Sequence, residues 1–156
     1  MKRLIFKKED LTQLPTPELG YITLGVSSDG GLSTITDSGT ISSIATTHTK
    51  TILIEQPTSS ENISIFKTDV AITVKEVTTV STGTTPSTTY QIKHSSDRSA
   101  SGNNLTTSTS TTSKTTGDFA TLSNVNISAN SWVWLVTTAA SGTDVSLTVD
   151  IKYTIG

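Results

Sequence analysis

The chain has 156 residues, no cysteine, two histidines and a formal net charge of −2, enough for one compact domain and a short appendage. Without cysteine there is no disulfide framework and no thiolate metal or redox centre. Two imidazoles make a histidine-rich metal site unlooked-for, and the slight negative charge argues against a nucleic-acid binder. With 33 Thr and 23 Ser, more than a third of the chain carries a hydroxyl, so the protein surface is built from hydroxyls in place of charges, often on β-branched residues that suit a pleated strand.

The first ten residues, "MKRLIFKKED", hold the basic cluster Lys2, Arg3, Lys7 and Lys8, which reads as a solvated N-terminal strand or tail. The apolar run Leu4 to Phe6 is too short for an export signal (about 7 to 15 residues) or a membrane span (about 20), so the chain is expected to be made in a cytoplasm and to leave the cell only by lysis, with no membrane partner. Pro15 and Pro17 suggest a stiff connector, and "PTPELG" is a weak helix candidate. Strand pieces follow at Tyr21 to Val26, Leu32 to Ile35 and Thr40 to Ile44, joined by the hairpin-like turns "SSDGG" and "TDSG". So few apolar residues cannot make a separate core. Residues 1–45 are therefore expected to be stabilised by docking onto the rest of the chain, by intertwining with identical chains or by fastening to a larger assembly.

Residues 46–156 read as an antiparallel β-sandwich, jelly-roll-like, which makes the fold class all-β. "KTILIEQ" and "NISIFK" are strands. "DVAITVKEV" places Val70, Ile72 and Val74 on one face, and "TTYQIKH" does the same with Tyr90 and Ile92. "TTSTSTTSKTTG" (106–117) reads as a long hairpin loop. "DFATLSNVNIS" supplies Phe119, Leu122, Val125 and Ile127, "SWVWLVTTA" is apolar on both faces as in a central strand, and Val145, Leu147, Val149, Ile151, Tyr153 and Ile155 alternate strictly with polar residues. Turn chemistry at "STGTTPS", "SASGN", "TTGD" and "ASGTD" is taken to separate these strands.

Chemistry concentrates in "IKHSSDRSASGN" (92–103). His94, Ser95, Ser96 and Asp97 are consecutive, and consecutive residues of an extended chain point to alternate sides, so they cannot bracket one imidazole as a catalytic triad does. The stretch reads instead as a strand end and turn: His94 closes the strand, Asp97 accepts backbone amides, and Arg98 pairs with a carboxylate or a neighbouring chain. On this reading His94→Ala leaves folding little changed. Asp29 and Asp37 beside glycines read as turn aspartates, without the spacing of a calcium loop. Trp132 and Trp134, two apart, could form a stacking platform for sugar rings, but their apolar neighbours favour a core strand with one indole near a subunit boundary. No catalytic, cofactor or metal site is assigned, and no enzyme activity is expected.

Two stretches carry a resemblance. "GYITLGVSSDGGLSTITDSGTISSI" resembles the short N-terminal module of many tailed-bacteriophage virion proteins. "YQIKHSSDRSASGN", the Thr-rich loop, "SWVWLVTTAASGT" and the last alternating strand resemble the β-sandwich of small phage structural proteins, including head fibres and capsid decorations. The resemblance implies a virion address, attachment to capsid or other virion proteins through the N-terminal module, and a homo-oligomer, with a trimer favoured; it carries over no catalytic residue. The alternative it leaves open is a tail-fibre or receptor-binding head that takes a host-surface glycan.

Overall fold

A computed structural model describes residues 16–26, 32–44, 47–111 and 116–155. Among them every regular element is a strand: β1 (Ile22–Val26), β2 (Leu32–Thr36), β3 (Ile41–Ser43), β4 (Thr47–Glu55), β5 (Asn62–Lys67), β6 (Ile72–Ser95), β7 (Asn103–Asn104), β8 (Thr109–Thr111), β9 (Asp118–Phe119), β10 (Asn126–Ile127) and β11 (Trp132–Ile155). The chain divides into two compact units, Met1–Thr46 and Thr47–Gly156.

The larger unit is organised by a ribbon of two 24-residue strands, β6 and β11, paired antiparallel along their length. β4 and β5 add to the far side of β11, and β7, β8, β9 and β10 add to the far side of β6. The ribbon is folded on itself. Thr79 and Tyr90 lie eleven residues apart on one strand, which would separate them by about 35 Å if β6 were straight, yet Thr79 Oγ1 donates to Tyr90 Oη at 3.3 Å. Thr111 on β8 likewise reaches across to the Thr79 carbonyl, and Phe66 on β5 stacks on Tyr153 near the end of β11 with ring centroids 5.9 Å apart. The two halves of one curled sheet thus make the two layers of a jelly-roll-like sandwich.

The fold in the ribbon has a local cause. Register shifts cluster between Thr137 and Ala139, Ser141 and Thr143, and Asp144 and Ser146, each bending the strand and sharpening its twist. Opposite them Thr85 sits at φ 48°, costly for a β-branched residue. Gly142, at φ +77°, approaches so closely that a Cβ there would lie 2.1 Å from the Thr85 carbonyl oxygen. "STGTTPS" and "ASGTD" are therefore not separators between strands, as their composition suggests, but bulged corners inside single strands.

The core between the layers takes Ile54, Ile72, Val74, Val77, Tyr90, Ile92, Val133, Leu135, Leu147, Val149 and Ile151 from the long strands and β4, with Leu105 and Ile127 from the short segments. Each such burial contributes roughly 1.5 to 3 kcal/mol against the cost of ordering the chain. Val133, Trp134 and Leu135 are all buried, as a central strand requires. The alternation at the C-terminus holds for Leu147, Val149 and Ile151, and Tyr153 also packs against the core. Beyond it Thr154 is buried and Ile155, the last residue of β11, is exposed, and between Lys152 and Tyr153 the register passes over Lys75 of β6, an extra residue that exchanges the faces of β6. The same register shift accounts for Val77 being buried three residues after Val74, and Val70 is exposed ahead of the strand. Phe119 is also exposed, while Ile127 from the same segment is buried. Part of the Thr-rich stretch is strand β8, with Thr106 and Thr111 fully buried, so it is not simply a loop.

The smaller unit contains an antiparallel meander, β1-β2-β3. Its second turn is legible: Gly39 N donates to Thr36 O at 2.9 Å and Thr36 N to Thr40 O at 3.0 Å, with Gly39 at φ 78°, the left-handed position a three-residue hairpin loop reserves for glycine. The "SSDGG" turn lies outside the described residues, as does the basic cluster at residues 2 to 8. Residues 16 to 18 are irregular and Leu19–Gly20 form a turn, so the described part of "PTPELG" is not helical.

Candidate functional site

Two places concentrate what the chain could use: the turn after β6 and the apolar face of the N-terminal sheet. His94, next to last in β6, pairs with Val133 on one side and Asn103 on the other. It is only 6% exposed. Its Nε2 lies 3.0 Å from the Asn124 carbonyl, so the neutral ring donates a hydrogen bond that fixes the 120–127 segment. Burial pushes the imidazole below its ordinary 6.5, and the Asn124 carbonyl opposes that shift.

Asp97 lies in the turn and serves its own backbone. Its Oδ1 accepts from Ser99 N at 2.8 Å and Ser99 Oγ at 2.7 Å. The Ser99 hydroxyl and then its amide hold the carboxyl below its usual 3.8. His94 and Asp97 thus spend their hydrogen bonds on different partners. The strand-end reading of the turn matches these contacts, with one addition: His94 is a buried latch, so His94→Ala leaves the Asn124 carbonyl unpaired and is not neutral for folding.

Among the described residues Arg98 has no carboxylate partner. Its partners are neutral: Nε donates to Ser64 Oγ at 2.9 Å, and Nη2 donates to the Asn62 side-chain and main-chain oxygens. The guanidinium lies 4.7 Å from the centroid of the Trp134 ring, a cation–π contact in which the planar fork ties β5 to the turn. Gly102, at φ +69°, closes over the same ring; a Cβ there would fall 2.3 Å from Trp134 Cη2. Trp134 is therefore roofed by the 98–102 turn and 2% exposed. Trp132 is partly exposed, with the Lys67 ammonium 5.6 Å from its ring centroid. The two indoles form no open platform. Their partners come from residues more than thirty positions away, a distance no local pattern encodes.

Aromatic surface appears elsewhere. His48, Tyr153 and Phe66 stack in sequence, with centroid separations of 5.5 and 5.9 Å. Phe66 and Tyr153 line a cleft of about 180 Å³ together with Lys50, Lys67, Asp69 and Ile155. No local pattern signals this grouping, since it is assembled by β4, β5 and the end of the ribbon where β6 begins and β11 finishes.

The N-terminal sheet presents the opposite of a core. Its pairing sets Ile22 beside Thr36, Leu24 beside Thr34 and Val26 beside Leu32, so four apolar residues share one face with two threonines. Ile22 is 67% exposed, and Leu24 and Leu32 are also open. The other face holds Ser33 and Ile35, both buried. Asp37 lies in the turn after β2, and its carboxylate accepts from the distant Gly20 N at 2.9 Å; Asp29 lies outside the described residues. Among the described residues no group of three or more His, Asp and Glu converges as metal ligands would.

Fold and site together define an all-β protein of two units, a jelly-roll-like sandwich with a complete core and a three-stranded sheet with an open apolar face. No protein-family model and no curated protein sequence matches the chain. Among solved structures it is similar to a chain of the cyanophage Pam1 capsid asymmetric unit, at 17% identity over 72% of this chain and 86% of that one, with a TM-score of 0.49. It is also similar to a chain of infectious bursal disease virus, Gt strain, at 12% identity over 85% of this chain and 42% of that one, with a TM-score of 0.35.

Proposed function

We propose that the chain is a structural component of a tailed-phage virion, a head fibre or capsid decoration protein, fastened through its N-terminal sheet and projecting the sandwich outward. The observation that carries this reading is the open face of Ile22, Leu24, Val26 and Leu32. A three-stranded sheet this small does not offset its own ordering cost in water, and contiguous exposed apolar surface marks an interaction site. The "GYITLGVSSDGGLSTITDSGTISSI" stretch, whose resemblance is to virion attachment modules, is the segment that builds this face. The sandwich suits the exposed role: it has a full core, hydroxyl-rich outer faces and no dependence on disulfides in a reducing cytoplasm. A homo-oligomer, with a trimer as the expected form, would cover apolar surface that one copy leaves open.

The test is imaging of the particle by electron cryomicroscopy. Density for the sandwich outside the capsid shell, joined to it through residues 20–44, supports the reading. Its absence from purified particles contradicts it.

A second reading, a glycan-binding head used in host adhesion, is favoured by the cleft beside the Phe66–Tyr153 stack, where Lys50, Lys67 and Asp69 supply hydrogen-bonding groups next to apolar rings. A glycan array on which Tyr153→Ala and wild type give the same signal would remove it.

A further inference from the structure

The margins of the large sheet are unequal. Along β6 the outer margin is taken by β7, β8, β9 and β10, pieces of two or three residues. Along β11 it is taken by β5, whose register is interrupted between Val133 and Trp134, and by β4, whose nine residues pair from Thr47 to Glu55 without a break. Among the described residues no strand pairs with the other side of β4. Monomeric sheet proteins blunt such an edge with short strands, bulges, prolines or rows of charge. β4 shows none of these: it is long and regular, Pro57 lies beyond its end, and its charged residues are Lys50 and Glu55. Leu53 on its outer face is 59% exposed.

We propose that β4 is a pairing edge for a second copy of this chain, the two β4 strands running antiparallel about a two-fold axis at Thr51. The unpaired main-chain groups of a straight edge call for another strand, and the side chains of β4 fit its own reverse. Centred on Thr51, the pairing overlaps all nine residues. It sets Thr49 opposite Leu53, Lys50 opposite Ile52, His48 opposite Ile54 and Thr47 opposite Glu55. No like charges face each other, and each exposed Leu53 gains a β-branched neighbour. A one-residue slip would set core-side residues against outer-face ones, and a two-residue slip would shorten the overlap. The contact is isologous, so it closes after two copies and continues each sheet into its twin. It does not depend on the virion reading and is separate from the N-terminal face. Any oligomer formed there would be joined to another, giving an even number of chains.

The test uses the full chain. With no natural cysteine, Thr51→Cys carries the only thiol, and directly opposed antiparallel residues lie about 4.5 to 5.5 Å apart at Cα, within disulfide reach. Mild oxidation should give a covalent dimer on a non-reducing gel, while Ser99→Cys, on the exposed turn, stays largely uncrosslinked. In its own sheet Thr51 pairs with Asp150, so Thr51→Lys keeps a favourable neighbour within one copy but opposes two ammoniums at the axis. Its native mass by light scattering should fall to half that of wild type, with unchanged circular dichroism. A wild-type mass of one chain or an odd number of chains overturns the proposal. So does crosslinking of Thr51→Cys no greater than that of Ser99→Cys, or an unchanged mass for folded Thr51→Lys; should Thr51→Lys fail to fold, the crosslink decides.

Discussion

The two units use the same residue vocabulary to opposite ends. In the sandwich, alternation of apolar and hydroxyl residues buries Val74, Ile92, Leu135, Leu147 and Val149 between two layers of one folded ribbon. In the N-terminal sheet the same alternation buries Ile35 and leaves Ile22, Leu24 and Leu32 open. The difference is one of length. A 24-residue ribbon can fold back and become its own opposite layer, whereas strands of three to five residues cannot. A period-two pattern therefore specifies a face, and chain length decides whether the chain itself covers it.

The contrast can be broken most severely at the corner. Gly142→Ala puts a methyl against the Thr85 carbonyl in a left-handed backbone. It is expected to cost about 3 to 5 kcal/mol, measured by urea denaturation, because the two layers can no longer close at that angle. A cost near zero would mean the corner is not what folds the ribbon.

Two matched truncations separate the units. Leu135→Ala should lower the stability of the sandwich by about 2 to 5 kcal/mol. Ile35→Ala, a similar truncation of a buried residue in the smaller unit, should leave the sandwich transition where it is. Hydrogen exchange read separately over β2 and β11 distinguishes the two.

A gentler perturbation is pH. His94 is held neutral by burial, so the unfolded chain takes up its proton more readily than the folded one. The stability this contributes is fully present above 6.5 and is lost as pH falls from 6.5 through the lowered folded value. The carboxylates of Glu61, held low by Thr58, and Glu76, held low by Lys152, begin to matter only below 4.5. Denaturation midpoints should fall across that upper window in wild type and stay flat in His94→Gln.

Much of both units is readable in the sequence. Strands β4 and β5, the inward set of Tyr90 and Ile92, the central character of 132–136 and the three N-terminal pieces all follow from period-two patterning. The continuity of β6 and β11 was not readable, because glycine, proline and serine at 81–87 and 139–144 signal a turn equally well when they build a bulge. The bulge at Lys75 of β6 was hidden for the same reason, since an extra residue exchanges the faces without leaving a mark in the composition. In the turn after β6, local bonds such as Asp97 to Ser99 were legible. The clamp of Arg98 on Asn62, Ser64 and Trp134 was not, because it depends on which distant strand becomes the neighbour.

The smallest effect on stability should come from the double substitution Ile22→Ser with Leu24→Ser, which alters only open side chains and should change it by no more than about 0.5 kcal/mol. The same variant tests attachment through the N-terminal face. Purified full chain is added to particles assembled without it, and bound protein is measured after sedimentation. Saturable binding by wild type and its loss in the folded double variant are the predicted result; equal binding by both would contradict attachment through the N-terminal face.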